Sequence, residues 1–382
     1  MSSDDQLSIL FLSSWFPTED QPTLGNFVKR HAQSVAQYAK VTVLHHAEAN
    51  EERIETHSDG NYREVIYYHR KRFPAYLHHN GYYEKVLAEL ERTVDFKPDI
   101  IHLNVIYPAG RIALKWAKQW NIPFIVSEHW TGYHNDTHSG IKSWQRKVMK
   151  EVGNKAAFLC PVTMDLARSM QNQGIQGKYE PVPNVVDTEL FHMQVAEQHK
   201  SFRFLHVSSL FDQHKNVSGL LNAFSEVTKL HPEAHLTVLG DGDPLPHQRS
   251  AEKLGIPQEA ISFAAEQTLE SIAQLMRESD CFVLFSRYEN LPCVIGEAWA
   301  SGVPVISTDV GGIREHLDAA KGHLIASEDE SALKDAMIDC LTGKTSYSKE
   351  ALRSYASEHF SYEAVGAKFM ELYRIAINNH PK

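Results

Sequence analysis

The sequence has few cysteines and no long hydrophobic run. Four cysteines are scattered through 382 residues without a Cys-x-x-Cys pair. This spacing argues against a disulfide framework and favours a reducing compartment. No apolar run approaches transmembrane length, and the acidic start Met-Ser-Ser-Asp-Asp-Gln is unlike a signal peptide. We therefore expect a cytoplasmic protein.

Positive charge is also in deficit. There are 38 Lys+Arg against 48 Asp+Glu, and the formal net charge of −10 argues against nucleic-acid binding. A hydrophobic content of 42% is that of a soluble globular protein, and the length predicts two domains. We place them at residues 1–190 and 200–360, because the proline-containing, polar stretch between residues 181 and 201 is typical of a linker.

The most informative stretch runs from Ser286 to Gly302. An apolar run at 281–285 and another at 303–306 predict buried parallel strands on either side of it. Pro292 suits the first position of a helix, and Gly302 suits the residue just past its end. The stretch therefore predicts a strand, a loop, a helix and a strand. Backbone N–H groups at the helix start, with the helix dipole behind them, would form a cradle for phosphate.

Two carboxylates bracket this cradle, Glu289 in the loop and Glu297 within the helix. Ionised carboxylates accept hydrogen bonds and repel phosphate, so they suit hydroxyl groups on either side of a phosphate. A ligand with hydroxyls, phosphate and more hydroxyls is a nucleotide sugar. The alternative is an ordinary βαβ unit whose glutamates face solvent.

The wider run carries a family resemblance. Glu289 and Glu297 form a Glu-x7-Glu pair, and the features that follow are Ala298, Gly302, Pro304-Val305 and Gly311-Gly312. This run resembles the donor-site signature of the retaining glycosyltransferases of family 4, the GT-B group. The resemblance implies an α/β fold of two Rossmann-like parallel-sheet domains facing a central cleft. The acceptor-binding domain would come first and the donor-binding domain second, with a final helix, about 362–382, packed back on the first.

The resemblance also implies a reaction. A hexosyl group would pass from a nucleotide-diphosphate sugar to a hydroxyl acceptor with retention of anomeric configuration, without a cofactor or a metal. Glu289 would hold hydroxyls of the transferred sugar and Glu297 the ribose. The residues expected to line the donor phosphates are Asn290, Leu291, Pro292, Cys293 and Val294.

Lys215 follows a predicted strand at 202–207, where its charge could stabilise a departing diphosphate. A plain lysine at a helix start is the alternative. The family usually has an arginine in this segment, and Ser209 stands at that donor-binding position here. Either Lys215 acts with backbone N–H groups alone, or Arg287 or Arg314 contributes. Residues 311–315 are expected to start a helix.

In the first domain, Gly25 lies where the loop after a strand at 7–12 meets a helix. It does not belong to a Gly-x-Gly-x-x-Gly fingerprint, which argues against a nicotinamide enzyme. A glycine there permits close backbone approach by a ligand, which the resemblance implies is the donor, and a tight turn is the alternative. Trp15 and Asn26, in and after this loop, are candidates for the acceptor side.

A strand at 123–126 is followed by Ser127-Glu128-His129-Trp130. These residues lie at the carboxyl end of the strand, where parallel α/β sheets bind their ligands. The resemblance implies that His129 lies near the transferred sugar and acts in catalysis; a structural histidine is the alternative. Trp130 and Tyr133 are further candidates for the acceptor side, and we expect His102 to be structural.

An apolar stripe of Ile141, Trp144, Val148 and Val152 is accompanied by the basic residues Lys142, Arg146, Lys147 and Lys150. This pattern predicts an amphipathic helix packed on its own domain. The alternative is a peripheral contact with the inner surface of the cytoplasmic membrane, since basic faces beside tryptophan suit anionic headgroups.

Other function classes remain open. A non-hydrolysing nucleotide-sugar epimerase shares the two-domain architecture, a phosphorylase-like enzyme would need phosphate or pyridoxal phosphate, and a non-catalytic nucleotide-sugar binding protein would only bind. The complete Glu-x7-Glu run favours the transferase. For such a member we expect a lipid-linked acceptor in polysaccharide, lipopolysaccharide or glycolipid synthesis, with a small soluble acceptor as the alternative.

Overall fold

The computed structural model describes residues 6–71, 78–134, 142–194 and 201–381. The strands are β1 Ser8–Ser13, β2 Lys40–Glu48, β3 Arg53–Asp59, β4 Tyr62–His69, β5 Ile100–Asn104, β6 Phe124–Glu128, β7 Phe158–Pro161, β8 Arg203–Ser208, β9 His235–Gly240, β10 Ile261–Ala264, β11 Cys281–Leu284, β12 Val305–Thr308 and β13 Gly322–Ile325. The helices are α1 Asn26–Ala36, α2 His79–Thr93, α3 Gly110–Trp120, α4 Ser143–Lys155, α5 Met164–Asn172, α6 Asp212–Lys215, α7 Val217–Leu230, α8 Leu245–Lys253, α9 Leu269–Arg277, α10 Cys293–Ala300, α11 Glu330–Leu341, α12 Lys349–Phe360 and α13 Tyr362–Asn378.

The chain forms two compact units. Unit 1 contains residues 1–185 and 362–382, and unit 2 contains residues 186–361. The division falls earlier than the predicted residue 190, because the first linker residues bond to unit 2. Val186 donates its N–H to the carbonyl of Phe360 at 2.8 Å, and Arg353 donates to the carbonyls of Thr188 and Phe191 at 3.3 and 3.2 Å.

Unit 1 is built on a seven-stranded sheet in the order β3-β4-β2-β1-β5-β6-β7. All neighbours are parallel except β3 and β4. Every residue of β5, β6 and β7 is buried, which explains why their apolar runs predict parallel strands. The edge strand β3 was not predicted, because its sequence Arg-Ile-Glu-Thr-His-Ser-Asp is mostly polar and exposed. It exists through its hairpin pairing with β4.

Helix α13 belongs to unit 1 and packs against α1. A Cβ added to Gly366 would lie 2.3 Å from the carbonyl oxygen of Ser34, so the two helices approach too closely for any side chain at this position. Phe369 and Tyr373 of α13 are fully buried in the same core as Val28 and Val35 of α1. The C-terminal helix therefore completes the core of unit 1.

Unit 2 contains a six-stranded, all-parallel sheet in the order β10-β9-β8-β11-β12-β13. In both units the strand order reverses next to the first strand of the unit, between β1 and β5 and between β8 and β11. In open α/β sheets, ligands bind at the carboxyl ends of the strands at such a switch point. The fold thus marks the residues after β8 and β11 as the place to look for a site in unit 2.

Two predictions about helices in unit 2 need correction. Residues 311–315 do not start an α-helix; only a single 3-10 turn, Ile313–Glu315, forms. The reason is that Gly311 takes a left-handed φ of 57°, and Gly312 donates its N–H to the carbonyl of Asn290. Pro292 is the N-cap rather than the first residue of α10, with an extended ψ of 128°.

Candidate functional site

The carboxylate of Glu289 is the centre of a small polar group at the switch point of unit 2. Its Oε1 accepts hydrogen bonds from Lys215 Nζ at 2.5 Å and from Ser286 Oγ at 2.8 Å. The side chain of Glu289 is 9% exposed and that of Lys215 is 19% exposed. Lys215 follows β8 and Glu289 follows β11, so the fold brings together two charges that are far apart in sequence. Ser286 was not predicted, although its position at the end of the strand was a usable signal.

The end of β12 holds the loop that carries Glu289. Thr308 donates to the carbonyl of Ser286 at 2.6 Å, and the Gly312 N–H donates to the carbonyl of Asn290 at 3.0 Å. A Cβ added to Gly311 would lie only 2.0 Å from the carbonyl oxygen of Glu289. The Gly311-Gly312 pair therefore lets this backbone pass directly under the loop.

Helix α10 begins beside the same loop. Asn290 and Leu291 are buried, whereas Pro292, Cys293 and Val294 are partly exposed. The exposed part of the predicted phosphate cradle is therefore its last three residues, at the positive end of the helix dipole. Glu297 lies within α10 and is 4% exposed, and its contact with a ribose stays a prediction.

Of the three cations considered in place of the family's arginine, only Lys215 contacts Glu289. The guanidinium of Arg287 donates to Glu328 at 2.5 Å, to the carbonyl of Asp212 at 2.7 Å and to Asn216 Oδ1 at 2.7 Å. Arg287 therefore ties the loop after β11 to α6 and α7. Arg314 pairs with Asp309, its Nε lying 2.6 Å from the carboxylate, and is mostly exposed.

Ser209 lies in the loop that follows β8. Its carbonyl oxygen would be 2.8 Å from a Cβ added to Gly242, so the loops after β8 and β9 pack closely. The structure gives Ser209 a place next to the switch point, and its contact with a donor stays a prediction.

In unit 1, Glu128 organises the end of β6. Its Oε1 accepts the N–H groups of His129 at 2.9 Å and Trp130 at 3.1 Å, and its Oε2 accepts Ile106 N–H at 3.1 Å and the Tyr133 hydroxyl at 2.9 Å. Burial raises the pKa of Glu128, and these four hydrogen bonds oppose that rise. The sequence places Glu128 at a strand end but gives no sign of its contacts with Ile106, which follows β5, and with Tyr133, five residues further along the chain.

Tyr133 differs from its prediction as an acceptor-side residue. It is 1% exposed, and its hydroxyl is bonded to Glu128. This burial leaves it almost no surface for an acceptor. Its observed contribution is to hold the carboxylate that fixes the backbone of His129 and Trp130.

The ring of His129 lies 4.2 Å from that of Phe27 and 5.3 Å from that of His31, measured between centroids. Burial, with His31 and His102 adding to it, holds the pKa of His129 well below its usual value. The imidazole is therefore neutral near pH 7 and can orient a partner without supplying charge. Its contact with a transferred sugar stays a prediction.

His102 occupies both of its ring nitrogens within unit 1. Nδ1 lies 2.6 Å from the Tyr373 hydroxyl and Nε2 lies 2.7 Å from Ser127 Oγ, and the residue is fully buried. These contacts join His102 of β5 to α13 and to β6, so its observed role is structural: it helps to pack α13 on the sheet.

Gly25 is the N-cap of α1, with a left-handed φ of 69°. A Cβ there would lie 2.6 Å from the carbonyl of Trp15, so the fold of the chain itself requires the glycine. Asn26 is the first residue of α1, and the rings of Trp15 and Trp130 are partly buried. Contacts of these four residues with a donor or an acceptor stay predictions.

Glu128→Gln is expected to destabilise unit 1 by about 2–3 kcal/mol, because the amide would present N–H groups to donors that now face carboxylate oxygens. This corresponds to a fall in melting temperature of roughly 5–10 °C. Differential scanning calorimetry would measure it. Glu151→Gln, on the exposed face of α4, is the matched control and should change the melting temperature little. Equal melting temperatures for the two variants would contradict the organising role of Glu128.

Two family profiles match complementary parts of the chain. Residues 25–190 match Glycosyltransferase Family 4, and residues 201–343 match glycosyl transferases group 1. The chain belongs to glycosyltransferase family 4. This confirms the family predicted from the Glu-x7-Glu run, and the second match includes that run together with Lys215.

Curated relatives of this family 4 chain are distant. The Vi polysaccharide biosynthesis protein VipC/TviE of Salmonella typhi is 28% identical over 165 residues, which are 41% of this chain and 28% of the relative. The phosphatidyl-myo-inositol mannosyltransferase of Mycobacterium leprae is 24% identical over 302 residues, 76% of each protein. The chain thus spans under a third of the first relative and about three quarters of the second.

Solved structures match over nearly the whole chain. Sucrose-phosphate synthase from Thermosynechococcus elongatus is 18% identical with a TM-score of 0.77, covering 97% of this chain and 99% of that one. Anabaena HepE in complex with UDP-glucose is 17% identical with a TM-score of 0.70, covering 97% and 100%. At these identities the likeness shows the fold, and it confirms the predicted class of two Rossmann-like parallel-sheet domains of the GT-B type.

Proposed function

We propose that the protein transfers a hexosyl group from a nucleotide-diphosphate sugar to a hydroxyl acceptor, with retention at the anomeric carbon. The observation that carries this proposal is the Lys215–Glu289 contact at the switch point of unit 2, next to the start of α10. A cation, a helix N-terminus and a hydroxyl-accepting carboxylate are the groups that a nucleotide sugar requires.

Lys215 and the start of α10 supply the positive charge for the diphosphate. A diphosphate at Pro292, Cys293 and Val294 would meet the positive end of the helix dipole. It would share the ammonium of Lys215 with Glu289. Because Lys215 is largely buried, its charge is less screened than that of a surface lysine, and it stabilises a departing diphosphate more strongly.

Glu289 supplies acceptors for the sugar. Both observed hydrogen bonds reach Oε1, and no donor among the described residues is bonded to Oε2. A carboxylate oxygen can accept two hydrogen bonds, so Oε2 is suited to hydroxyl groups of the transferred sugar. Glu289 acts here as a binding carboxylate, and the leaving phosphate takes the proton of the acceptor hydroxyl in a front-face displacement.

We propose that transfer needs no bound metal, since Lys215 and α10 provide the charge. The triplet Asp241-Gly242-Asp243 after β9 is the feature that most resembles a metal motif, but Asp243 Oδ1 already accepts the N–H of Leu245, the first residue of α8, at 3.0 Å. Among the described residues, no group of three His, Cys, Asp or Glu side chains is arranged to hold a metal ion.

The relatives suggest which substrates to test. One is named for mannosyl transfer to phosphatidyl-myo-inositol and another for polysaccharide biosynthesis, and a structural neighbour binds UDP-glucose. We propose a lipid-linked or polysaccharide acceptor in cell-surface glycan synthesis, and UDP-sugars as the first donors to test. A small soluble acceptor is the alternative.

The test is a transfer assay with UDP-glucose, UDP-galactose, UDP-N-acetylglucosamine, GDP-mannose and ADP-glucose, each offered with lipid-linked and soluble sugar acceptors. Mass spectrometry would detect the product, and the anomeric coupling constant in proton NMR would give its configuration. A new glycoside with the configuration of the donor is the expected result. Epimerised donor without acceptor, or binding without turnover, would replace the transferase with an epimerase or a binding protein.

Peripheral membrane contact is a further part of this proposal, and it rests on α4. Val148 and Val152 are buried, so this part of α4 packs on unit 1, as predicted for an amphipathic helix of that domain. Ile141 lies outside the described residues. Trp144 stays 37% exposed beside several basic residues. None of the helices in the described residues has the length and hydrophobicity that crossing a bilayer requires.

We expect the protein to float with vesicles containing anionic lipid at low salt and to be released at high salt. Lys142→Gln with Lys147→Gln should weaken the flotation, whereas Lys229→Gln with Lys253→Gln in unit 2 should not. A protein that ignores anionic vesicles at low salt would remove membrane contact from the proposal.

A further inference from the structure

Unit 1 contains a cavity of about 550 Å³ at the amino ends of β6 and β7, whereas Glu128 and His129 lie at the carboxyl end of β6. Phe124 and Phe158, the first residues of β6 and β7, form part of its wall. Since a strand rises by about 3.3 Å per residue, the start of β6 lies roughly 13 Å from its end. We call it the amino-edge cavity, and its size is in the range of small-molecule sites.

The polar lining of the amino-edge cavity is positively charged. Three lysines line it: Lys118 in the last turn of α3, Lys155 at the end of α4 and Lys178 in the segment after α5. None of the described lining residues is acidic. Lys178 Nζ lies 4.4 Å from the centroid of the Phe158 ring. Lys155 pairs with Glu151 at 3.0 Å, but both side chains are more than half exposed, so this pair is weak.

An unsatisfied imidazole nitrogen is a second, independent feature of this cavity. His380 lines it, and its Nε2 is buried without a hydrogen-bond partner among the described residues. A buried polar atom without a partner costs free energy, and an acceptor bound in the cavity could relieve that cost after a small rotation of the ring.

Asn121 and Asn379 are the remaining polar residues of the lining, and the rest of it is apolar. Leu114 of α3 and Ala376 of α13 face the same space as Phe124 and Phe158. A ligand that matches both parts of the wall has an anionic end and an apolar body. Three ammonium groups exceed what one carboxylate needs, whereas a phosphomonoester carries about −1.5 to −2 charges at neutral pH.

We propose that the amino-edge cavity binds an organic phosphate, with the phosphate against Lys118, Lys155 and Lys178 and the apolar body against Phe124 and Phe158. The same chemistry is offered by a soluble phosphate ester and by the headgroup of an anionic lipid. This site is separate from the donor site of unit 2, since every lining residue belongs to unit 1.

Isothermal titration with phenyl phosphate and with inorganic phosphate tests the proposal. We expect one site per chain that prefers phenyl phosphate. The triple variant Lys118→Gln, Lys155→Gln, Lys178→Gln should weaken binding by about tenfold. The matched control Lys229→Gln, Lys253→Gln, Lys344→Gln removes three exposed charges from unit 2 and should leave it unchanged. Asn379→Trp, which fills the cavity and keeps the lysines, should abolish binding.

Two results would overturn the proposal. One is equal affinity in the two triple variants, and the other is no binding of phenyl phosphate to a wild-type protein that unfolds normally. A vesicle arm separates the two sources. If phosphatidic acid vesicles bind wild type but not Asn379→Trp, and phenyl phosphate competes, the ligand is a lipid headgroup. If phenyl phosphate binds and Asn379→Trp floats like wild type, the ligand is a soluble ester.

Discussion

Glu289→Gln is expected to lower kcat for sugar transfer by about 10²–10³-fold, in the range found when one preorganised polar contact is removed from an active site. Glutamine keeps the size of the side chain but removes its charge. Lys215 then loses its counter-ion, and one of the two acceptor oxygens becomes an N–H donor. The sugar hydroxyls lose an acceptor at the same time.

Steady-state kinetics with saturating donor would measure the effect, with thermal unfolding to show that the variant is folded. Glu270→Gln is the control, because this glutamate lies in the first turn of α9 and is exposed in the same unit. A Glu289 variant with full transfer activity would eliminate the role given to this residue.

Lys215→Met is expected to lower kcat/KM for the donor by about 10²–10³-fold and to weaken binding of the free nucleoside diphosphate. Methionine keeps most of the aliphatic length and removes the ammonium that contacts Glu289. Because that ammonium contacts Glu289 in the loop before α10, we expect its loss to affect the departing diphosphate as well as the bound donor, so both kcat and KM should change.

Arg314→Met is the matched control for Lys215, since both are cations considered in place of the family's arginine. Arg314 is 62% exposed and paired with Asp309, so its variant should stay within about twofold of wild type. Arg287→Met would be a poorer control, because Arg287 joins three segments and its loss should lower stability. A donor defect in Arg314→Met without one in Lys215→Met would reverse the assignment.

The sequence predicts those parts of the fold whose signal is local. The strands β6, β8 and β11 appear as short apolar runs, and the glycine after α10 marks its end, with a φ of 73° at Gly302. The strand β3 has no local signal, because it depends on a hairpin partner. The helix expected at residues 311–315 does not form for a similar reason, since Gly311 and Gly312 pack against the loop that precedes α10 and are distant from it in sequence.

In the candidate site, too, the sequence predicts only the residues that a local signal marks. Glu289 and Lys215 are recognisable because a motif and a strand end mark them. Their contact with each other, and the support from Ser286, depend on the pairing of β8 with β11. The burial of Tyr133 against Glu128 could not be predicted either, because an aromatic residue after a strand end suits both a binding surface and a core.

The most direct test of the donor site is a thermal-shift panel of UDP, GDP, ADP and their sugar conjugates, recorded with a chelator and then with Mg²⁺ or Mn²⁺. A ligand that binds only the folded state raises the melting temperature by mass action. We expect one base series to raise it without metal, and Lys215→Met to lose that rise while Arg314→Met keeps it. No rise with any nucleotide, or a rise only after metal is added, would contradict a metal-independent donor site at Lys215 and Glu289.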